Sequence, residues 1–431
     1  MKRIFALLFC MALMLGTFSG CSAGEQPGET TQPEATEPAH VLKVGYGRVD
    51  ITPTESVPMR GLGTSSERKS ESVKDPLYAT CVAFSDEKDN TILLFHMDLC
   101  HSFTDATTTL KLAVSRATEV SGNQIMVTAT HNHSTPDLDN AADPSIERYM
   151  ASLKKWMVQA AQDALADQKP AQMYVTDAAV EGLNFIRHYD LSDGSVGGDN
   201  FGDFKNNTIL GHKGQVDSTM QLIKFVREGG KDIVLMNWQG HPRGHGEDRG
   251  AILSDVDVIR QELEQKMNCH FAYFLGASGN VNSSSRIQEE KVASGYVDNG
   301  KRLAQYAIDA AENFRKVQTA SLKILNNFYQ ADSKENPEMK LTLPLYVFSL
   351  GEVAFVTAPY EMFSESGLAI KEGSPFAMTF VATCANANYT YIPIASAFEY
   401  GGYEVGMTKT AQGTAEKLVS EYISMLNELK K

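Results

Sequence analysis

The chain has 431 residues, with 53 acidic against 39 basic side chains and a formal charge of −14 at pH 7. An acidic chain with no basic cluster after its first residues argues against nucleic acid and against electrostatic docking on anionic lipid. About 390 residues follow Val41, enough for one large α/β domain with its own core.

Lys2 and Arg3 precede an apolar stretch from Ile4 to Leu15, the pattern of an export signal. That stretch falls short of the roughly 20 residues that span a bilayer. It ends in Phe18-Ser19-Gly20-Cys21, which resembles the lipobox of bacterial lipoproteins with Phe18 in place of the commoner Leu. Residues 1–20 therefore read as a lipoprotein signal peptide and Cys21 as the lipidation site. Residues 21–40 are Gly, Glu, Gln, Thr, Pro and Ala without an apolar period, a solvated tether that cannot bury a core. The expected location is extracytoplasmic, anchored to the bacterial cell membrane or its periplasmic face through the lipid alone. Export leaves Cys81, Cys100, Cys269 and Cys384, which no CxxC spacing links; they are buried thiols or disulfides.

Further along, β-rich runs fall at 81–84, 91–97, 124–128, 222–225, 233–238, 271–275, 346–350, 353–357 and 378–384. Helical periods lie between them at 105–120, 145–167, 255–267, 296–314 and 364–371, with an amphipathic helix over 413–431. Strands alternating with helices predict an α/β fold of mixed, partly parallel β-sheets flanked by helices. Residues 41–431 are expected to form a single large domain.

Four strand ends carry chemistry. The first run delivers His131-Asn-His133 into a loop, and two imidazoles one residue apart point the same way on an extended backbone, as a metal ligand and a proton-handling neighbour would. Surface or hydrogen-bonded core histidines have the same spacing. The run ending in Asn237-Trp238 discharges His241, and sites of open α/β sheets collect at such ends; nearby His245 is equally eligible. The run 353–357 leads to Pro359-Tyr360-Glu361, although a Glu ahead of a helix also suits the helix dipole. The run 378–384 leads to Tyr389, Tyr391, Tyr400 and Tyr403, residues that usually pack.

The ordered set resembles the neutral or alkaline ceramidase family of amidohydrolases. Its Thr-His-Thr-His-Ser-Gly-Pro-Gly is similar to Thr130-His131-Asn132-His133-Ser134-Thr135-Pro136-Asp137, its Pro-Gly-Glu to Pro359-Tyr360-Glu361, and its Cys-Asn-x-Tyr-x-x-Tyr to Cys384 through Tyr391. The openings Val44–Pro53 and Asp75–Ala79, and Ile252-Leu-Ser254-Asp255, resemble the family too. The resemblance implies a catalytic domain in which His131, His241, Glu361 and Tyr391 hold Zn²⁺, a donor set that suits the metal. It further implies that zinc activates a water, that His133 handles its proton, and that Arg187 and Tyr403 donate to the oxyanion.

Two departures limit the transfer. Where the family has Gly-Asp-Val-Ser-Pro, this chain reads Gly279-Asn280-Val281-Asn282-Ser283; Asn282 cannot attack a carbonyl, which leaves the metal-activated water as nucleophile unless Ser283 or Ser284 substitutes. Glu404 stands 27 residues before the last residue, Lys431, so no C-terminal β-sandwich of the long ceramidases is expected. The implied reaction is zinc-dependent cleavage of an N-acyl amide, ceramide to sphingosine and fatty acid. Another lipid amide, an N-acyl amino acid or an ester would use the same centre. A non-catalytic solute-binding lipoprotein is the competing class, and it would need two hinged lobes.

Overall fold

The strand runs of the first two-thirds of the chain pair into one sheet. The computed structural model describes residues 41–61, 68–242, 249–290, 295–319 and 321–431; the export signal, Cys21, the tether and His245 lie outside the described residues. The long strands are β1 (Leu42–Asp50), β2 (Tyr78–Ser85), β3 (Thr91–Met97), β4 (Ile125–Ala129), β5 (Lys169–Ala179), β6 (Thr219–Arg227), β7 (Asp232–Trp238) and β8 (Cys269–Leu275). They lie in the order β8-β7-β6-β5-β1-β2-β3-β4, with Arg315–Lys316 added against β5. Neighbours run antiparallel except at the two ends, where β7 and β8, and β3 and β4, are parallel. A second sheet orders β9 (Leu322–Asp332), β10 (Lys340–Leu350), β11 (Val353–Thr357) and β12 (Met378–Ala382), with β11 and β12 parallel.

Among the described residues, six longer helices cover these sheets: α1 (Thr104–Thr118), α2 (Pro144–Ala166), α3 (Asp255–Lys266), α4 (Tyr296–Ala310), α5 (Ser364–Gly373) and α6 (Thr414–Lys430). Alternate side chains of each strand face opposite ways, and here both faces are buried. Val82, Phe84, Leu94 and Phe225 of the large sheet meet Phe348, Phe355 and Phe380 of the small one. The opposite pleat of β2 and β3, with Cys81, Ala83 and Phe95, packs on Leu110, Leu153 and Met157 of α1 and α2. Val234, Phe271 and Tyr273 meet Ile259, Leu263 and Leu303 of α3 and α4. Val347 and Val356 meet Ile370, Leu418 and Tyr422 of α5 and α6. The result is a helix, sheet, sheet, helix sandwich, and burial on both faces explains why the strands read as continuous apolar runs. From His40 onward the chain forms one compact unit.

The helix boundaries follow local chemistry. Asp143 caps α2 by accepting from the Ser145 N–H at 3.0 Å, with Pro144 opening the helix, and Ser254 caps α3 by accepting from the Asp257 N–H. The Ser254-Asp255 motif is thus a helix start. Helix α1 ends at Thr118, two residues short of the expected Val120, because Glu119 adopts a left-handed φ of 62°. The expected helix to Phe314 ends at Ala310 and continues only as a 3-10 turn to Asn313.

The site-bearing ends of the two sheets are stitched by buried side-chain amides. Asn237, at the end of β7, donates to the carbonyls of Phe274 (2.9 Å) and Val381 (3.0 Å) and accepts from the Val381 N–H. Asn386 accepts from the Val127 N–H at 3.0 Å and donates to Thr357 Oγ1 at 3.1 Å, joining β4 to β11. Removing such a partner strands buried backbone groups at about 1–3 kcal/mol each. Asn237→Ala is therefore expected to lower unfolding free energy by about 2–3 kcal/mol in urea denaturation, and a loss under about 0.5 kcal/mol, the ordinary surface-substitution range, would contradict this stitching.

Candidate metal centre and its surroundings

All four loops that build the site leave the C-terminal ends of strands in parallel pairs: β4, β7, β11 and β12. After β4 the chain turns at His131, whose φ is 62°. The turn is held by the His131 N–H on the Leu99 carbonyl (3.0 Å) and the Thr130 N–H on the Met97 carbonyl (2.9 Å). This corrects the expected extended backbone: His131 and His133 converge through a left-handed turn. Asn132 between them points away and donates to the Leu253 carbonyl at 2.6 Å.

The ring orientations leave the three Nε2 atoms facing one point. A carbonyl oxygen can only accept, so Nδ1 of His131 is protonated and donates to Cys100 O at 2.7 Å, and Nδ1 of His241 donates to Ser278 O at 3.3 Å. Nε2 of His131 lies 3.1 Å from Nε2 of His241 and 3.1 Å from Nε2 of His133, and the remaining pair is 3.2 Å apart. His131 and His241 are 2% and 1% exposed, His133 9%. Gly61, at φ 114°, lies against His133, where a Cβ would come within 2.4 Å of the His133 Cβ. Arg68 donates to the His133 carbonyl at 2.6 Å.

Glu361 and Tyr391 come from the small sheet's two parallel strands, whose extensions pair again as Glu361–Met362 with Tyr391–Ile392. Oε2 of Glu361 stands 3.2 Å from Nε2 of His131 and, buried, has no hydrogen-bond partner of adequate geometry. The Tyr391 hydroxyl hydrogen-bonds the same carboxylate and also meets Arg187. Gly279 packs on this segment, where a Cβ would lie 2.8 Å from the Glu361 carbonyl oxygen. Burial raises the Glu361 pKa, but the His131 imidazole and the other neighbours outweigh it and hold the carboxyl down at about 2.

Acceptor atoms packed this closely, with a partnerless carboxylate oxygen beside them, fit a divalent cation with nitrogen and oxygen ligands. The structure brings together His131, His133, His241, Glu361 and Tyr391. Sequence spacing placed His133 beside the ligands; its Nε2 is as near to His131 and His241 as they are to each other.

Arg187 sits at the edge of this group in a buried network. Its Nε donates to Glu404 Oε1 at 2.6 Å and its Nη2 to the Gly279 carbonyl at 2.6 Å. The other Glu404 oxygen meets Nε2 of His188 at 3.0 Å, and the Tyr400 hydroxyl lies 3.3 Å from Nδ1 of His188. Tyr403 packs edge-on against Tyr391, centroids 5.7 Å apart, and is 42% exposed. Asn282 donates to Asp199 at 2.7 Å, while Val281-Asn282 pairs with Phe185-Ile186, so the Gly-Asn-Val-Asn segment positions the short strand that immediately precedes Arg187.

Glu404, Cys100 and His101 went unselected in the sequence. Glu404 carries no local signal, because its partners lie 217 and 216 residues away. His101 had one: it follows the run 91–97 as His131 and His241 follow theirs.

No family profile and no curated protein matches this sequence. Solved structures match its shape, among them two ceramidases. The neutral ceramidase from Pseudomonas aeruginosa superposes at a TM-score of 0.73 with 15% identity, over 91% of this chain and 75% of that one. A ceramidase complexed with C2 superposes at 0.72 with 13% identity, over 90% and 75% of the two chains. The body is thus a mixed α/β sandwich, as expected from the strand and helix runs. Its particular arrangement is the neutral ceramidase fold.

Burial raises the Glu404 pKa, but Arg187 and then His188 overcome this and hold it down at about 2, below the ordinary 4.5. A depressed carboxyl contributes stability that is present above pH 4.5 and lost as pH falls through about 2. Glu404→Gln should therefore unfold more easily at neutral pH by about 3 kcal/mol, since it strands a buried guanidinium. Acid titration of unfolding should show a shallower loss for the variant than for wild type across that window; equal slopes would exclude Glu404 as the titrating group.

Proposed function

We propose that this chain is a zinc-dependent amidohydrolase that cleaves the N-acyl amide of a ceramide-like lipid. The observation that carries the reading is the meeting of three imidazole Nε2 atoms and the Glu361 carboxylate within 3.1–3.2 Å contacts in a chain with the neutral ceramidase fold. His131, His241, Glu361 and Tyr391 would hold the ion. When bound, zinc supplies Lewis acidity and a water that ionises near neutral pH.

The protein's own groups do the rest. The Cys100 and Ser278 carbonyls fix the tautomers of His131 and His241, so both rings present lone pairs without reorganisation. His133, the most exposed of the three imidazoles, is assigned to moving the proton from water to the leaving amine, as a positioned general acid and base. Arg187 and Tyr403 donate to the carbonyl oxygen as it becomes anionic. Glu404 and the Gly279 carbonyl hold the Arg187 guanidinium in place. Asn282, committed to Asp199, leaves no nucleophile at the position where the resembling family has serine. The single compact body disfavours a two-lobed solute receptor. Export, lipidation at Cys21 and attachment to the bacterial membrane belong to the same proposal, since an anchored enzyme would meet an amide that resides in lipid.

Purified protein should contain one zinc per chain and release fatty acid from a labelled ceramide. His131→Ala should lose both metal and turnover, and His133→Ala should keep zinc while losing at least about 100-fold in kcat. Arg187→Lys, lacking the planar fork, should cost about 100- to 1000-fold. Equal product release by wild type and His131→Ala would refute the mechanism; release from N-acyl amino acids but not ceramide would redirect the substrate.

A further inference from the structure

Behind His131, on the side away from Glu361, lies a second cluster. The Cys384 Sγ stands 3.7 Å and the Cys100 Sγ 4.0 Å from Nδ1 of His131. His101 stands beside Cys100, and its ring lies 4.8 Å from that of His131. Ligand atoms of Cys100, His101 and His131 all fall within 4.8 Å of one another. Sulfur and nitrogen ligands of one tetrahedral zinc are separated by roughly 3.5 Å, given bonds of about 2.3 and 2.0 Å, close to the 3.7 and 4.0 Å at which the two sulfurs stand from one imidazole nitrogen.

The cluster is built by specific backbone choices. Cys384 ends the strand run early at a left-handed φ of 51°, a conformation that residues other than glycine adopt only when their surroundings enforce it. That turn is held because the Cys384 carbonyl accepts from Ser102 Oγ at 2.6 Å and from the Ala129 N–H at 3.2 Å. Cys100 is fixed by its N–H on Thr135 Oγ1 at 3.0 Å. The other two described cysteines differ: Cys81 packs among aliphatic side chains in the α1–α2 layer, and Cys269 turns its sulfur to the Leu263 carbonyl.

We propose that Cys100, Cys384 and His101 form a second metal site, selective for thiophilic d¹⁰ cations and separate from the nitrogen and oxygen site across the His131 ring. Two thiolates and one imidazole match the soft ligand class that prefers zinc, cadmium or cuprous ions over magnesium or calcium. Binding displaces the two thiol protons to solvent, and no oxidant or reductant takes part. Nδ1 of His131 is already committed to the Cys100 carbonyl, so the site draws on three ligands and leaves His131 to the other centre. The inference does not depend on hydrolase activity.

The test is a cadmium titration of chelator-stripped, full-length protein under a phosphine reductant, with bound metal counted after dialysis and the ultraviolet sulfur-to-cadmium charge-transfer band followed. Wild type should bind two equivalents, one of which brings the band. Cys100→Ser and Cys384→Ser should each lose the band and one equivalent, whereas His241→Ala should lose the other equivalent and keep the band. Cys81→Ala, outside the cluster, should retain both. Cadmium NMR of wild type needs no substitution and so covers variants that fail to fold: a deshielded resonance in the two-sulfur range is expected. A spectrum confined to the nitrogen and oxygen range, or a band that survives in both serine variants, overturns the proposal.

Discussion

Three imidazole nitrogens that face one another at 3.1–3.2 Å, with a carboxylate oxygen 3.2 Å from one of them, define the constraint on which this molecule is organised. Two of the rings have Nδ1 committed to a carbonyl, which turns each Nε2 toward the centre. Acceptors repel at that spacing unless a cation or a shared proton intervenes. Their approach is maintained from outside by the turn at His131, by the Ser278 carbonyl on the His241 ring, and by the close seat of Gly279 against Glu361. The same ring that presents Nε2 to the centre presents Nδ1 to Cys100, which couples the two faces of His131 through a single imidazole.

The sandwich supplies that rigidity through its parallel strand pairs. Antiparallel neighbours alternate the direction in which their ends point, so a sheet with no parallel pair would distribute its loops over both edges. Here β3 with β4, β7 with β8 and β11 with β12 run together, and the loops after β4, β7, β11 and β12 reach one region. Asn237 and Asn386 then pin one sheet to the other at that same end. Satisfied buried amides of this kind specify a single alignment of layers, whereas apolar contact alone tolerates sliding. The aromatic contacts among Phe84, Phe348 and Phe355 supply the area between the sheets and leave their register to the polar pins.

Much of the architecture was legible in the chain. The runs 91–97 and 353–357 match their strands residue for residue, and Asp255 and Tyr296 open their helices as expected, because apolar stretches of these lengths are bounded by strong turn and cap signals. Three of the longest strands, β1, β5 and β9, gave no comparable signal. Val44-Gly-Tyr-Gly, Lys169-Pro-Ala-Gln and Asn326-Asn-Phe-Tyr mix glycine, proline and polar residues, so their strand state comes from neighbours: β1 sits between β2 and β5, and β9 pairs along its whole length with β10. The departures at Glu119 and Cys384 share a cause, a left-handed residue that no propensity signals when it is not glycine.

By itself the sequence determined which residue types could serve, because histidines, a glutamate and tyrosines just past apolar runs are a local pattern that burial and strand length enforce. It also determined the class of layers, since runs apolar on both faces have to be covered on both. Tertiary structure alone decided that His133 stands level with His131 and His241, that Arg187 is gripped by Glu404, and that Cys100, Cys384 and His101 gather behind the His131 ring. Those arrangements bring His133 to His241 across 108 positions, Arg187 to Glu404 across 217 and Cys384 to His131 across 253, and no local rule relates such distant segments until two sheets have stacked and fixed the direction in which each strand ends.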